Sequence, residues 1–337
     1  MDHRLRIGVL GAAGIARAAV VPAIRASRNA TVAGIASRNP ASAEWVIEAG
    51  LPLVNGYQTL LDNPDVDAVY LPLPNHEHAH WAMRAADAGK AVLCEKPLAM
   101  NAEEAARVVA HCARLNVPLM EGFMYRFHPQ HARARAIIAA GEIGDPVEVH
   151  AHLSVDIMSP VDPTNVRFDA KKGGGTLLDM GCYTVHIARS IFGTEPESVL
   201  ARWTLDPTLG VDTDTAAILE FPGGQTASIS CSFRGNAQGI YRIIGRKGVS
   251  DMPRGIIAGL GTRLGETIIA VTDPDGNRRE EKLDHIDHYR LMIEAFADAV
   301  LTGAPVPAHT DDAVRNMRVL DAIAASAREG RRVSVQS

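Results

Sequence analysis

The chain has 337 residues, of which 47% are apolar and 22% charged, the composition of a globular protein of about two domains. Thirty-four Lys and Arg against 39 Asp and Glu leave a net charge of −5, so no basic excess exists for nucleic acid or an anionic membrane. The four scattered cysteines form no Cys-x-x-Cys pair, and no apolar run reaches about 18 residues, so we expect a cytoplasmic protein with reduced thiols, no export signal and no membrane span.

The first third of the chain alternates short apolar runs with helical stretches, a pattern typical of βαβ units around a parallel sheet. The predicted strands are 5–10, 31–36, 68–71, 91–94 and 118–120, and the predicted helices are 15–27, 40–49, 77–88 and 102–115. Gly50 and Gly89 lie where helices commonly end. We therefore predict an α/β protein whose residues 1–122 form a Rossmann domain with a doubly wound parallel sheet.

The second part of the chain has a different sequence pattern, in which strand-like runs alternate with turn signals such as Pro-Gly-Gly at 222–224. The predicted strands are 196–206, 213–221, 225–233, 239–244, 267–272 and 278–283, followed by helices 286–301 and 311–327. We predict that residues 123–337 form an α/β domain for substrate binding and oligomerisation, built on a large open, mostly antiparallel sheet. Because one face of such a sheet needs a cover, we expect a homodimer or homotetramer. A cleft between the two domains is the expected ligand site.

A glycine-containing turn follows the first predicted strand, with the sequence GAAGIA at 11–16. A dinucleotide-binding fold uses G-x-G-x-x-G/A at this place to bring a pyrophosphate close to the backbone. The cofactor contacts would come from Gly11, Ala13, Gly14 and Ile15, with Ala13 in place of the second glycine. The motif alone also fits a plain tight turn.

The end of the second predicted strand lacks the acidic residue that holds the ribose 2′-hydroxyl of NAD. Ser37 and Arg38 stand there instead, and a hydroxyl with a guanidinium suits a 2′-phosphate. The other interpretation is a solvated loop arginine beside a helix-capping serine. The sequence favours NADP(H), with NAD(H) as the other option.

Two further segments carry chemistry. Lys96 follows the strand at 91–94, at the edge where doubly wound sheets bind ligands, although a surface lysine is the alternative. In GGGTLLDMGCYTVH at 173–186, helical spacing puts Asp179, Tyr183 and His186 on one stripe behind glycines that could admit a ligand. A phenol and a lysine are what a carbonyl reductase needs for proton transfer. Thr176 with Asp179 also resembles a capping box, and His186 could be a core histidine.

These motifs occur in one order with EKP at 95–97, EGFMYRFHP at 121–129, PN-x-x-H at 74–78 and SAREG at 326–330. Together they resemble the Gfo/Idh/MocA oxidoreductases, named for glucose-fructose oxidoreductase and inositol dehydrogenase. The resemblance runs nearly end to end and implies a Rossmann domain followed by an α/β domain with a large open sheet. Tyr183 stands where inositol dehydrogenase-like members carry histidine and where the sugar and dihydrodiol branch carries tyrosine. The alanine at position 13, in place of the second glycine, resembles the sequences of the same branch.

The resemblance also implies roles for individual residues. Lys96 corresponds to the catalytic lysine of the Glu-Lys-Pro motif and Asp179 to the helix aspartate, so Lys96, Tyr183 and Asp179 are the expected catalytic residues. Besides the glycine turn and the residues at 37–38, we expect cofactor contacts from Pro74, Asn75, His78 and Glu95. The expected substrate contacts are Arg126, Arg167 and His186.

The function that follows is an NADP(H)-dependent oxidoreductase, which moves a hydride between nicotinamide and a ring or carbonyl carbon of a sugar, sugar derivative or vicinal diol. The alternatives are an NAD-dependent glycosidase on the same scaffold, with no net redox change, and a cofactor-binding regulator without turnover. His76 and His80 have helical spacing for a metal, but no second cluster supplies further ligands, so we expect none.

Overall fold

The computed structural model describes residues 4–39, 43–257, 267–307 and 310–336. The strands are β1 (Leu5–Leu10), β2 (Ala30–Ser37), β3 (Leu53–Asn55), β4 (Ala68–Leu71), β5 (Ala91–Cys94), β6 (Leu119–Glu121), β7 (Pro146–Ser154), β8 (Ser198–Leu205), β9 (Asp212–Glu220), β10 (Thr226–Ser232), β11 (Gln238–Gly245), β12 (Val249–Met252), β13 (Thr267–Thr272), β14 (Arg278–Leu283) and β15 (Val333–Ser334). The α-helices are α1 (Val21–Ala26), α2 (Glu44–Glu48), α3 (Tyr57–Leu61), α4 (Asn75–Asp87), α5 (Ala102–Arg114), α6 (Pro129–Ala139), α7 (Cys182–Phe192), α8 (His288–Thr302) and α9 (Thr310–Glu329). A π-helical turn precedes α1 (Ala16–Val20), and another precedes α7 (Leu177–Gly181).

The chain divides into two compact units. Residues 1–124 and 287–314 form the first unit, and residues 125–286 and 315–337 form the second. The first division lies close to the predicted boundary after residue 122, whereas the return of 287–314 to the first unit differs from the prediction. Its cause is helix α8, which packs on α1, β1 and β2 and accepts a hydrogen bond from Asn29 Nδ2 at Asp298 Oδ1 (2.8 Å).

The first unit is built on six parallel strands in the order β3-β2-β1-β4-β5-β6. Every residue of β4 and β5 is buried, as expected for central strands of a parallel sheet covered on both faces. The carboxyl ends of β1, β2 and β5 lead into the glycine turn, into Ser37-Arg38 and into Glu95-Lys96. The predicted Rossmann architecture is confirmed.

Some elements of the first unit differ from the prediction. Strand β3 and helix α3 have only 3 and 5 residues, so neither is long enough to show a periodic pattern. The predicted helix over 15–27 is divided into the π-helical turn and α1. The predicted helix over 40–49 is observed as α2, and residues 40–42 lie outside the described residues.

The second unit contains a nine-stranded sheet in the order β14-β13-β12-β11-β7-β10-β9-β8-β15. Its pairs are antiparallel except for β7 with β10, which are parallel, so the prediction of a mostly antiparallel sheet is confirmed. The sequence pattern did not reveal β7, β12, β15 or α6. Polar residues on β7 weaken its strand signal, and Ala and Arg dominate α6, which leaves its apolar stripe indistinct.

The two faces of this sheet have different environments. Helix α7 and the π-helical turn before it pack on one face, over β7, β9 and β10. The opposite face carries Leu200, Ile218 and Ile240, which are 45%, 48% and 36% exposed. A shallow concavity of about 880 Å³ lies over this second face. We call it the open sheet face.

All four cysteines are buried and unpaired by disulfides, with Cys94 and Cys112 in the first unit and Cys182 and Cys231 in the second. Burial raises the pKa of the Cys112 thiol to about 11. Among the described residues, none of the helices combines the length and apolar character needed to cross a bilayer.

Candidate active site

The glycine turn after β1 has open backbone at its centre. Gly11 has a φ of +126°, which favours glycine, and its N–H donates to Ala36 O (2.9 Å). Gly14 is exposed, and a Cβ built there would meet no atom within 4 Å. Ala13 and Ile15 on either side are half-buried. This turn therefore fits the close approach of a dinucleotide pyrophosphate, as the sequence predicts.

Ser37 and Arg38 lie together at the end of β2. Ser37 Oγ donates to Asn39 O (2.8 Å), so this hydroxyl stabilises its own loop. The Arg38 guanidinium lies 4.9 Å from the centre of the Tyr57 ring, and its Nη2 donates to Glu77 Oε1 (2.5 Å). The Arg38 side chain nevertheless remains 55% exposed, so it can receive a ligand.

The loop after β4 is tied to the loop after β5 by a buried histidine. His78 Nδ1 lies 2.8 Å from Pro97 O, and His78 Nε2 lies 2.7 Å from Leu73 O. Burial lowers the pKa of His78, which is 0% exposed. Such a side chain cannot touch a cofactor, so we correct the expected contact: His78 holds the loops in place. Pro74 and Asn75, at the start of α4, are half-buried.

The Glu-Lys-Pro segment follows β5 directly. Lys96 is half-buried in this loop. Glu95 accepts a hydrogen bond at Oε1 from Tyr70 Oη (2.6 Å), and Glu121 Oε1 accepts one from Leu98 N (2.8 Å). The Tyr70 hydroxyl on β4 and the Glu121 carboxylate on β6 thus hold the residues before and after the lysine.

In the second unit, the last of the three consecutive glycines packs against a buried aspartate. Asp212 Oδ2 accepts hydrogen bonds from Thr176 Oγ1 (2.6 Å), Leu177 N (2.8 Å) and Thr215 Oγ1 (2.8 Å). Gly175 has a φ of +104°, and a Cβ there would lie 2.0 Å from Asp212 Oδ1. Protein atoms fill the space beside Gly174 and Gly175, so these two glycines allow close packing of the chain and do not admit a ligand as predicted. The capping box is also not formed, because the Thr176 hydroxyl bonds Asp212.

The turn beyond the glycines is π-helical, which changes the expected stripe of side chains because a π turn holds more residues than an α turn. Asp179, within this turn, accepts a hydrogen bond at Oδ2 from Arg167 Nε (2.7 Å). Tyr183 lies in the first turn of α7 and is 6% exposed. The structure therefore brings Arg167 and Asp179 into direct contact beside the start of the tyrosine helix.

Tyr125, Arg126 and His186 form a second group in this unit. Arg126 Nη1 lies 2.9 Å from His186 Nε2, and Tyr125 Oη bonds His186 Nδ1. Because a guanidinium only donates, Nε2 must accept, so the neutral ring carries its proton on Nδ1 and donates it to Tyr125. The Tyr125 ring meets Tyr183 edge-on at a centroid distance of 5.9 Å. His186 is only 2% exposed. In place of the expected substrate contact, its ring positions Tyr125 and Arg126.

Three residues of these groups were not identified from the sequence: Tyr125, Asp212 and Glu77. Tyr125 lies inside the EGFMYRFHP motif, which was a usable signal. Asp212 and Glu77 had none, since their partners at 176 and 38 are distant in sequence. Within the described ranges, no group of three His, Cys, Asp or Glu side chains could hold a metal ion, and His76 and His80 are exposed.

Comparison with known proteins identifies the family to which a chain with this geometry belongs. Residues 5–123 match the model of the GFO/IDH/MocA oxidoreductase family with an NAD-binding Rossmann fold, and residues 131–250 match the model of a GFO/IDH/MocA C-terminal domain. A D-xylose 1-dehydrogenase (NADP(+)) of Haloferax volcanii is 40% identical over 98% of this chain and 100% of its own length. A trans-1,2-dihydrobenzene-1,2-diol dehydrogenase of Xenopus tropicalis is 36% identical over 58% of each chain.

The crystal structure of KijD10, a 3-ketoreductase from Actinomadura kijaniata in complex with NADP and TDP-benzene, superimposes with a TM-score of 0.89. The identity is 32%, and the match covers 96% of this chain and 98% of that one. The predicted family, fold class and oxidoreductase activity are therefore confirmed, and the relatives named with a cofactor are named with NADP. The chain belongs to the Gfo/Idh/MocA family of oxidoreductases.

Proposed function

We propose that this protein is an NADP(H)-dependent oxidoreductase whose substrate is a sugar, a sugar derivative or a vicinal diol. The observation that carries the proposal is the group at the start of α7, where Arg167 pairs with Asp179 beside Tyr183, in a chain similar over its whole length to an NADP(+)-named xylose dehydrogenase. Exposed Arg38 next to the glycine turn supports the choice of NADP(H) over NAD(H).

The bound cofactor supplies or accepts the hydride, and the chain handles one proton. Tyr183 donates a proton to the substrate oxygen in the reducing direction and accepts it in the oxidising direction. Lys96 supplies the positive charge that stabilises the developing oxyanion. Asp179, oriented by Arg167, accepts a hydrogen bond from a neighbouring substrate hydroxyl.

Substrate recognition in this proposal uses charged hydrogen-bonding groups. Arg126 and Arg167 each have donors in a planar fork, which suits the adjacent hydroxyls of a sugar or diol. His186 acts through Arg126 and Tyr125, because both ring nitrogens already have protein partners. The relatives reported above are named dehydrogenase or reductase, so the glycosidase alternative gains no support.

We propose in addition that the open sheet face is covered by a second copy of the chain, in a homodimer or in a tetramer of two such dimers. Three large apolar side chains on this face are more than one-third exposed, which is costly in water. A cytoplasmic location is part of the same proposal, since the buried thiols need no oxidising compartment.

The experiment that tests the proposed function is a panel of aldoses, ketoses, anhydrosugars and vicinal diols, followed at the nicotinamide absorbance with each cofactor. We expect turnover of at least one compound with a higher kcat/KM for NADP(H) than for NAD(H). Cofactor-coupled turnover with NAD(H) alone would contradict the cofactor choice. Bond cleavage without net change in absorbance would favour the glycosidase.

A further inference from the structure

We propose that Glu77 is a specificity-determining residue that lowers the affinity for the 2′-phosphate of NADP(H) by neutralising Arg38. This inference rests on the proposed function, because it concerns the cofactor choice of that same site. Glu77 lies in the first turn of α4 and contacts Arg38, which follows β2.

The contacts around Glu77 form a small closed cluster within the first unit. One carboxylate oxygen, Oε1, accepts from Arg38 Nη2 (2.5 Å), and the other, Oε2, accepts from Trp81 Nε1 (3.1 Å). The Trp81 ring stands edge-on to Tyr57 with centroids 5.0 Å apart. Glu77 is only 15% exposed, so solvent screens its charge less than that of a surface carboxylate.

Arg38 has a second support that does not depend on the charge of Glu77. Its guanidinium lies over the Tyr57 ring at 4.9 Å, and Tyr57 itself is 6% exposed and fixed by Trp81. A planar cation on an aromatic face keeps its orientation through the ring quadrupole. Removing the charge of Glu77 should therefore leave Arg38 in place.

The charges of Arg38, Glu77 and the 2′-phosphate then determine how Glu77 affects phosphate binding. Arg38 and Glu77 together carry no net charge, and a 2′-phosphate brings between one and two negative charges to the site near pH 7. The phosphate gains from the remaining N–H donors of Arg38 but is repelled by the Glu77 carboxylate. Without that carboxylate, the same guanidinium would act as a full positive charge.

The test is equilibrium binding of adenosine 2′,5′-bisphosphate and of 5′-AMP to the full chain, followed by tryptophan fluorescence or calorimetry. The two ligands differ only in the 2′-phosphate, so their ratio isolates it. We expect Glu77→Gln to bind the bisphosphate about tenfold more tightly than the wild type at low salt, and to bind 5′-AMP within about twofold of it. Tenfold corresponds to about 1.4 kcal/mol.

Four further variants separate the effect of charge from that of shape. Trp81→Phe removes a hydrogen bond to Glu77 but keeps its charge, and Glu103→Gln removes an exposed charge elsewhere in the first unit; neither should strengthen bisphosphate binding. Arg38→Ala should bind the bisphosphate more weakly than the wild type. The double variant Arg38→Ala with Glu77→Gln should recover part of that loss, because the unpaired carboxylate is gone.

A pH series supplies a second readout. A phosphate monoester loses its second proton near pH 6, so the repulsion by Glu77 should grow as the ligand becomes a dianion. The advantage of Glu77→Gln should therefore be larger at pH 8 than at pH 5.5. Equal or weaker bisphosphate binding by Glu77→Gln would overturn the inference. A wild type that binds both ligands equally would contradict the proposed NADP(H) preference, while the comparison of variants would still test Glu77.

Discussion

Tyr183 and Lys96 belong to different units, and neighbouring residues of its own unit hold each of them in position. The Tyr183 ring rests edge-on against Tyr125, which in turn is held by His186. Lys96 follows a fully buried strand and lies between backbone segments held by Glu95 and Glu121.

We expect Tyr183→Phe and Lys96→Met each to lower kcat by about 100-fold or more, the usual effect of losing a general acid–base group. Cofactor dissociation constants measured by fluorescence should stay within a few-fold of the wild type. If the two residues act as a unit, the double variant should lose much less than the product of the single losses. Near-normal turnover in both single variants would remove Tyr183 and Lys96 from the catalytic assignment.

The sequence identified these residues because they lie in motifs, and it missed others for a physical reason. Lys96, Asp179 and Tyr183 are recognisable from local spacing. Asp212 contacts a residue 36 positions away, and Tyr125 contacts one 61 positions away. A single sequence gives no indication of such pairs, because the partners meet only after the chain has folded.

At the scale of elements, both glycine segments lead into π-helical turns, one before α1 and one before α7. The sequence predicts a helix at each place and cannot distinguish the wider turn, since the same residues suit either geometry. In the second unit the turn is anchored by Asp212, which bonds the loop and the helix start at once. This anchor determines where Asp179 and Tyr183 lie.

We expect Asp212→Ala to lower the free energy of unfolding by about 2 to 5 kcal/mol, because it leaves buried donors without an acceptor. It should also lower kcat while leaving cofactor binding, which we assign to the first unit, nearly unchanged. Denaturant unfolding and fluorescence titration measure the two effects. Asp275→Ala, which changes an exposed turn residue, is the control. An Asp212→Ala protein as stable and as active as this control would disprove the anchor.

Helix α6 begins with a histidine that can act only while neutral. His128 Nδ1 accepts a hydrogen bond from Gln130 N (3.2 Å), and burial lowers the pKa of His128 to about 4. The unfolded chain, with a pKa near 6.5, binds this proton more readily than the folded chain. Stability should therefore be lost as the pH falls from about 6.5 to 4, by up to about 3 kcal/mol.

His128→Asn keeps a good N-cap acceptor without a titrating ring. Urea midpoints measured between pH 7.5 and 4.5 should accordingly fall less steeply for this variant than for the wild type. Equal slopes for the two proteins would assign the acid sensitivity to other groups.

At the scale of the whole molecule, we expect the open sheet face to determine assembly. The sequence predicted the mostly antiparallel sheet, because its strands are separated by clear turn signals, but it did not predict that β7 runs parallel to β10. It also did not predict the return of residues 287–314 to the first unit, since a helix amphipathic pattern does not say which sheet the helix will cover.

We expect light scattering to give the mass of a dimer or tetramer at micromolar concentration, and Ile218→Lys to shift it toward the monomer. A charge in the middle of the open sheet face would have to be buried against the second copy, at a cost of several kcal/mol. Ile47→Lys is the matched control, because Ile47 is 66% exposed on α2 and belongs to the other unit. A monomeric wild type, or the same mass for both variants, would contradict the proposal.

The distribution of the cysteines gives each unit its own reporter of opening. Each unit holds two thiols that are at most 2% exposed, so a disulfide reagent in solution can react only when the surrounding structure opens. Cys94 and Cys112 therefore record openings of the first unit, and Cys182 and Cys231 record those of the second. The rates at which the reagent modifies the two pairs of thiols therefore show which unit opens more often.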